Sequence, residues 1–97
     1  MSSQSQPTNV VLIGKKPPMN YVLAVLTLFQ NGQDQVILKA RGMAISKAVD
    51  VSQILKNRFL KDVDVKDIRI GTEQVDNQQT GGKSNVSSIE IVLQRGA

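Results

Sequence analysis

The feature that most restricts the fold is a change in the spacing of apolar residues that occurs twice. Two short apolar runs, residues 9–13 and 35–40, are each followed by a turn and then by a longer stretch with apolar residues at helical spacing. The first run, closed by Gly14, is typical of a buried strand. The chain therefore begins strand–helix–strand–helix, and this order predicts two parallel strands joined by a right-handed crossover.

Each predicted helix has a wide apolar stripe and a recognisable boundary. Pro17 and Pro18 precede the first stripe, where proline is tolerated in the first helical turn, and Asn31-Gly32 follows it. The first stripe is so wide that we expect this helix to be nearly all buried. The second helix is predicted to end near Leu60. The stripes consist of Met19, Val22, Leu23, Leu26 and Phe29 in the first helix and of Ala44, Ala48, Val51, Leu55 and Phe59 in the second.

The last third of the chain alternates apolar and polar residues, which is the pattern of half-buried strands. Ile68 and Ile70 alternate with charged neighbours, and the alternation resumes at residues 88–93. The polar stretch 72–84 between them contains Gly81-Gly82. This pattern predicts two facing strands that extend into a long hairpin arm.

These elements predict one α+β domain over residues 9–97, with the order β-α-β-α-β-β and a four-stranded mixed sheet packed on two helices. Residues 1–8 are polar and uncharged, and they predict a disordered tail. No apolar run approaches about 18 residues, so we expect a cytoplasmic protein with no membrane partner. The chain of 97 residues is long enough to bury one modest core.

The composition excludes most familiar enzyme mechanisms. The chain has no Cys and no His, so it lacks thiolate nucleophiles, the commonest general base and cysteine-type zinc sites. Asp62, Asp64 and Asp67 alternate with Val and Lys as in a solvated acidic turn, and they do not form an acid–base pair in an apolar setting. Only three aromatic residues are present, which argues against base stacking on an aromatic platform. We therefore expect no enzymatic activity, no cofactor and no metal site.

The positive charge is concentrated in the first half of the chain. Residues 1–47 hold five basic side chains and one acidic side chain, whereas residues 48–97 hold seven of each, so the whole excess of four lies in the first half. Lys15-Lys16 follows the first predicted strand, and Arg41 follows the second. In a parallel pair both turns lie at the carboxyl edge of the sheet, beside the N-termini of both helices. This convergence predicts a phosphate-binding edge, although neither turn has the glycine spacing of a P-loop.

Five further residues are candidate nucleic-acid contacts, and each also has a structural interpretation. Tyr21 either donates its hydroxyl to a phosphate or packs against the sheet. Met43 either fills a gap at the start of the second helix or enters between bases, and Lys47 either reaches a phosphate or lies on a solvated face. Lys83 and Asn85 either enter a minor groove from the hairpin arm or belong to a flexible loop. The sequence leaves these alternatives open.

The end of the second helix carries Asn57, Arg58 and Phe59. Phe59 continues the apolar stripe, so the periodicity favours a position inside the core. A large aromatic residue in a last helical turn is also the type of anchor found at protein contacts.

Three runs of the chain have a distinctive residue pattern that can be compared with known families: NVVLIGKKPPMNYVLAVLTLFQNG, VILKARGMAISKAVDVSQILKNRFL and VSSIEIVLQ. They closely resemble the Alba family of small basic archaeal chromatin proteins, and the resemblance covers about residues 9–93. It implies a fold like that of the C-terminal domain of translation initiation factor three and a homodimer. It also implies binding of double-stranded DNA and of RNA with little sequence preference, at the archaeal nucleoid.

The resemblance implies a role for several residues by position. Lys15 and Lys16 match the family's lysine pair, and Lys15 is the implied site of acetylation by an acetyltransferase, with a deacetylase to reverse it. Arg41 matches the arginine of the second basic turn, and the hairpin at 72–84 matches the arms that embrace the duplex. The region where neighbouring dimers touch on DNA is matched by Asn57, Arg58 and Phe59.

Two departures from the family pattern change the expected distribution of contacts. Many relatives carry arginine where this chain has Met43 and Asn85. A larger share of the contacts with nucleic acid is therefore expected from Lys15, Lys16, Arg41 and Lys83. The expected function is a dimeric, non-enzymatic protein that coats and compacts DNA and also binds RNA, with affinity lowered by lysine acetylation. One alternative is a protein that mainly stabilises structured RNA; another is a small enzyme or sensor that binds a phosphorylated metabolite at the basic edge.

Overall fold

A computed structural model describes residues 9–96 of the chain. The predicted tail at residues 1–8 and the final Ala97 lie outside the described residues. The predicted order of elements is confirmed. In chain order the elements are β1 (Val10–Leu12), α1 (Pro18–Gln30), β2 (Gln35–Arg41), a 3₁₀ turn (Gly42–Ala44), α2 (Ile45–Ile54), a π-helical turn (Leu55–Phe59), β3 (Val63–Asp76) and β4 (Lys83–Arg95).

The four strands form one mixed sheet in the order β1-β2-β4-β3. Strand β1 is parallel to β2, as the crossover predicts, whereas β4 is antiparallel to both β2 and β3. The pairing of β3 with β4 continues as far as Asp76 and Lys83, beyond the last residue that pairs with β2, which is Ser88. The expected hairpin arm is therefore a two-stranded extension of the sheet.

One face of the sheet packs against both helices and forms the core. In β2 the buried side chains are those of Val36, Leu38 and Ala40, and Ile91 and Leu93 lie on the same face of β4. From α2 the core receives Ala48 and Val51, and from the π-helical turn Leu55; all three belong to the predicted stripe. This packing fixes the start of α2 at the carboxyl end of β2.

Helix α1 is less buried than its composition indicated. Its buried residues are Val22, Val25 and Phe29, whereas Met19 and Leu23 are exposed. The expectation of a nearly all-buried helix was wrong because the sheet and α2 cover only one side of α1. The buried stripe follows the spacing i, i+3 and i+7, and Leu26 and Leu28 beside it are only partly buried.

The expectation that β1 is a buried strand also needs correction. Strand β1 is an edge strand of three residues, and the side chain of Leu12 is 71% exposed. Ile13, just beyond the strand, is the buried residue of the run. An apolar run predicts burial on both faces, but here helices cover only one face of the sheet.

The core position favoured for Phe59 is not what the structure has. The backbone N–H of Leu60 donates to the carbonyl of Leu55 at 2.8 Å, which is the i→i+5 bond of a π-helical turn. In such a turn residue i+5 takes the place that residue i+4 has in an α-helix. Leu60 therefore packs against the core, and the side chain of Phe59 is 41% exposed.

A β-bulge between Val65 and Asp67 determines which side chains of β3 lie on the core face of the sheet. Val63 and Val65 pair opposite Arg95 and Leu93, and after the extra residue Lys66 the alternation shifts by one position. As a result Ile68 and Ile70 stand opposite Ile91 and Ile89, on the same face as the core. Both are nevertheless exposed, Ile68 by 55% and Ile70 by 82%, because this face of β3 extends beyond the helices.

Candidate nucleic-acid interface

The first basic turn is held by two side chains. The hydroxyl of Tyr21 accepts hydrogen bonds from the backbone N–H groups of Gly14 at 2.9 Å and of Lys16 at 3.1 Å. The ammonium of Lys47 donates to the carbonyl oxygens of the same two residues, at 2.9 Å and 2.8 Å. Lys15 and Lys16 are themselves exposed. The turn is thus ordered while its two lysine side chains face solvent.

These contacts also give the two candidate residues a defined place. Tyr21 is half-buried and packs against the core, and its hydroxyl accepts two hydrogen bonds from the turn while its own hydrogen is left to donate. Lys47 lies in the first turn of α2 and reaches across to the turn after β1. Because Lys47 joins the two segments, the first basic turn and the start of the second helix are in contact, as the parallel topology predicts.

The second basic turn lies beside the first. A cavity of about 750 Å³ opens at the carboxyl edge of β1 and β2, and its lining includes Lys15, Arg41, Met43 and Lys47. The side chain of Met43 is 96% exposed, so Met43 does not fill a gap in the core. The structure therefore brings five of the predicted site residues to one surface, which we call the basic edge: Lys15, Arg41, Met43 and Lys47 around the cavity, and Lys16 beside it through its bond from Lys47.

The positive ends of both helices add to the charge of the basic edge. Neither α1 nor α2 has an acidic residue in its first turn, and neither has a side-chain hydrogen bond at its N-terminal cap. The helix starts are instead closed by backbone bonds, since the N–H of Ile45 donates to the carbonyl of Gly42 and that of Asn20 to the carbonyl of Pro17. Each N-terminus carries the equivalent of about half a positive charge, which attracts anions.

Two glutamates border the same cavity. The carboxylate of Glu73, at the base of the hairpin arm, lies 3.4 Å from the guanidinium of Arg41. Glu90 lies 3.5 Å from the ammonium of Lys39 and 3.6 Å from the guanidinium of Arg69. These pairs are at least one-third exposed, so they contribute little to stability. They do reduce the positive potential that Arg41 and Lys39 offer to an anion.

The sequence did not indicate Glu73 as part of this site. Its place depends on the register of β3 on β4, which sets Glu73 opposite Val86, and on the register of β4 on β2, which sets Ser88 opposite Arg41. Neither register can be read from local spacing, because the bulge at Lys66 shifts it by one residue.

The arm carries Lys83 and Asn85 beyond the basic edge. The ammonium of Lys83 lies 3.9 Å from the carboxylate of Asp76, and Asn85 pairs across the arm with Gln74. At the tip, the side-chain oxygen of Asn77 accepts from two backbone N–H groups, those of Gln79 at 3.0 Å and of Thr80 at 3.3 Å. The tip thus forms a hydrogen-bonded turn.

Asn57, Arg58 and Phe59 form a separate exposed group on the π-helical turn. This turn follows the C-terminal end of α2, whereas the basic edge lies at the N-terminal end of the same helix. The structure therefore does not bring these three residues to the basic edge.

Among residues 9–96 no helix is both long and apolar enough to cross a membrane. Within the same range, no three Asp or Glu side chains come close enough together to hold a metal ion.

Three comparisons place the chain among known proteins. The family model described as Alba matches residues 9–72. The chain is 62% identical over 85 residues to the DNA/RNA-binding protein Alba 1 of Archaeoglobus fulgidus, which covers 88% of this chain and 93% of that protein. It is 59% identical over 85 residues to the DNA/RNA-binding protein Alba of Methanoculleus marisnigri, with 88% and 91% covered. The solved structure of Alba from Thermoplasma volcanium superposes with a TM-score of 0.85 at 52% identity, over 90% of this chain and 100% of that one.

The fold and the basic edge define a small α+β domain with a mixed sheet, two helices on one face and a hairpin arm. Within that class the matches are specific, since the family model covers most of the chain and identity exceeds one half. The chain belongs to the Alba family.

Proposed function

We propose that this protein binds double-stranded DNA and RNA through their phosphate backbones, without catalysis and with little sequence preference. The observation that carries the proposal is the contact of Lys47 with the carbonyls of Gly14 and Lys16, which joins the two basic segments into one edge. Phosphates are the ligands that exposed lysines and arginines attract, and the positive ends of the two helix dipoles favour the same ligands. Two relatives that cover most of the chain are named DNA/RNA-binding proteins.

Binding is expected to depend on charge more than on base edges. The basic edge offers Lys15, Lys16 and Arg41 at its surface, and the arm adds Lys83. If about three or four phosphates are neutralised by each protomer, the slope of log affinity against log salt is roughly −3 to −4 per protomer. Because positions 43 and 85 carry Met and Asn and not arginine, the number of phosphates that each protomer neutralises stays low. The proposed place of action is the nucleoid in the cytoplasm.

The proposed assembly is a homodimer, supported by an uncovered apolar strip. Val65, Ile68 and Ile70 are exposed on the core face of β3, and β3 is an edge strand of 14 residues. A contiguous exposed apolar surface beside an unpaired strand edge is typical of a protein–protein contact. A dimer repeats the basic edge twice, which suits a long repetitive ligand such as a duplex.

Two further parts of the proposal concern coating and its regulation. Asn57, Arg58 and Phe59 are exposed together and are proposed to join neighbouring dimers, so that the protein coats and compacts DNA. Acetylation of Lys15 by an acetyltransferase removes one positive charge from the basic edge, and a deacetylase restores it. Because Lys15 is exposed, the modification leaves the fold intact and lowers the affinity.

The test is a set of binding isotherms with a short duplex at four salt concentrations. The expected result is a linear plot of log affinity against log salt with a slope of roughly −3 to −4 per protomer. The slope should be equal for duplexes of different sequence. The variant Arg41→Met should reduce the slope by about one, whereas Lys61→Met, at the opposite edge of the sheet, should leave it unchanged. A wild-type slope near zero contradicts the proposal.

A second candidate is a protein that acts mainly on structured RNA. The observation that favours it is the carboxylate of Glu73 beside Arg41 in the cavity. A carboxylate repels phosphate but accepts a hydrogen bond from a ribose 2′-hydroxyl, which DNA lacks. Competition between a duplex DNA and a structured RNA of equal length at one salt concentration separates the two candidates.

A further inference from the structure

The turn at Gly14–Lys16 has its backbone held from two opposite directions. Tyr21 supplies one acceptor for the N–H groups of Gly14 and Lys16, at 2.9 Å and 3.1 Å. Lys47 supplies donors for the carbonyl groups of the same two residues, at 2.9 Å and 2.8 Å. The two residues that flank Lys15 thus have both of their backbone polar groups bonded to just two side chains.

Local sequence explains why side chains are needed here. Pro17 and Pro18 follow the turn, and neither has a backbone N–H with which to bond it. Gly14 allows the close approach, because a Cβ at this position would stand only 3.3 Å from the Tyr21 oxygen. Lys47 directs two of its three N–H groups to backbone oxygens, so most of its hydrogen-bonding capacity is used within the protein.

On the basis of the proposed function, we infer that Tyr21 and Lys47 are positioning residues for the nucleic-acid site. They hold the Gly14–Lys16 turn in the shape that presents Lys15 and Lys16 to phosphates. A turn that is ordered before binding loses less conformational entropy when it meets its ligand. The two residues therefore act on affinity through Lys15 and Lys16, and Tyr21 does so without contributing a charge.

The first experiment needs no nucleic acid and measures amide hydrogen exchange in the free protein. In Tyr21→Phe the amides of Gly14 and Lys16 should exchange about fivefold faster, because each loses its acceptor. The amide of Ile13, which donates to the carbonyl of Lys39 at 2.8 Å, should be unchanged and is the internal control. Unchanged exchange at Gly14 and Lys16 overturns the inference, and so does an equal acceleration at Ile13.

The second experiment measures affinity for a short duplex in two backgrounds. In the wild-type background Tyr21→Phe should weaken binding about threefold to tenfold, because the two hydrogen bonds that hold the turn are lost, with an unchanged salt slope because no charge is lost. In the background Lys15→Met with Lys16→Met, the same substitution should change the affinity less than about twofold. An equal loss in both backgrounds means that Tyr21 contacts the nucleic acid itself, and the inference fails.

Lys47 is tested in the same two backgrounds with Lys47→Met, and Lys61→Met serves as the matched loss of one charge. The loss of affinity caused by Lys47→Met should shrink severalfold when Lys15 and Lys16 are absent. Additive losses show an independent phosphate contact and overturn the role assigned to Lys47. If the wild type shows no salt-dependent binding, the proposed function fails while the exchange experiment still decides whether Tyr21 holds the turn.

Discussion

The guanidinium of Arg41 lies 3.4 Å from the carboxylate of Glu73, and this contact joins the second basic turn to the base of the hairpin arm. The two side chains are 59% and 50% exposed, so the pair contributes little to the free energy of unfolding. Its consequence concerns binding. A phosphate that approaches Arg41 must compete with Glu73, and the negative charge of Glu73 also repels it.

Removing this competing charge should strengthen binding. We expect Glu73→Gln to bind a short DNA duplex about twofold to fivefold more tightly at moderate salt, because Arg41 is then free to pair with phosphate. The matched control is Asp62→Asn, which makes the same change in net charge at the opposite edge, where Asp62 pairs with Arg95 at 3.1 Å. Equal gains in the two variants would show an effect of net charge alone. The measurement is fluorescence anisotropy of a labelled duplex.

The same Glu73 variant also separates DNA from RNA. If the carboxylate accepts from a 2′-hydroxyl, Glu73→Gln gains affinity for DNA but gains less, or loses, for an RNA duplex of the same sequence. If the carboxylate only repels phosphate, the two gains are equal. The ratio of the two affinities decides between these outcomes.

Neutralising Lys15 should weaken binding without changing the fold. For Lys15→Gln, which mimics acetylation, we expect a loss of affinity and a salt slope that is flatter by about one unit, because one fewer counterion is released. Lys61→Gln is the control for a neutralised lysine elsewhere on the surface. Wild-type affinity and slope in Lys15→Gln would exclude Lys15 as a phosphate contact.

The apolar strip on β3 should control the oligomeric state. Ile70 is 82% exposed in the single chain, so Ile70→Asp should change the free energy of unfolding of the protomer by only about 0.5 kcal/mol. In a dimer the same substitution buries an unpaired carboxylate, so we expect the dimer to dissociate into monomers. The molecular mass measured by light scattering shows this. Leu12→Asp, at a 71% exposed position on the other edge strand, is the control and should leave the mass unchanged. A dimer that persists in Ile70→Asp places the interface elsewhere.

The residues that could be assigned from sequence are those whose surroundings depend on local periodicity. Ala48 and Val51 of α2 and Leu55 just after it are buried as predicted, since a helix packed on a sheet buries the face that its spacing defines. The meeting of Lys15 and Arg41 at one edge followed from parallel topology alone, because both turns leave the carboxyl ends of neighbouring strands.

The predictions from sequence fail where the local spacing of apolar residues is interrupted. They also fail where the rest of the fold decides which side chains the helices cover. Phe59 keeps α-helical spacing in the sequence, but a π-helical turn moves it outward and gives its place to Leu60. The apolar run predicts that Leu12 is part of a buried strand, but Leu12 lies on an edge strand and on the face of the sheet without helices. Glu73 was missed as a neighbour of Arg41 because its position depends on two strand registers and a bulge.

The outward position of Phe59 leads to a last prediction, on the coating of long DNA. Because Phe59 is 41% exposed, Phe59→Ala should cost only about 1 to 2 kcal/mol of stability, less than a fully buried phenylalanine. On a short duplex that holds one dimer its affinity should equal that of the wild type, since the basic edge lies at the other end of α2. On a long duplex the binding curve should lose its steepness, because contacts between neighbouring dimers are removed. Leu23→Ala, which removes a 53% exposed side chain from α1, should keep the steep curve. An unchanged curve for Phe59→Ala on long DNA, or an equal loss on the short duplex, would contradict a role for Phe59 between dimers.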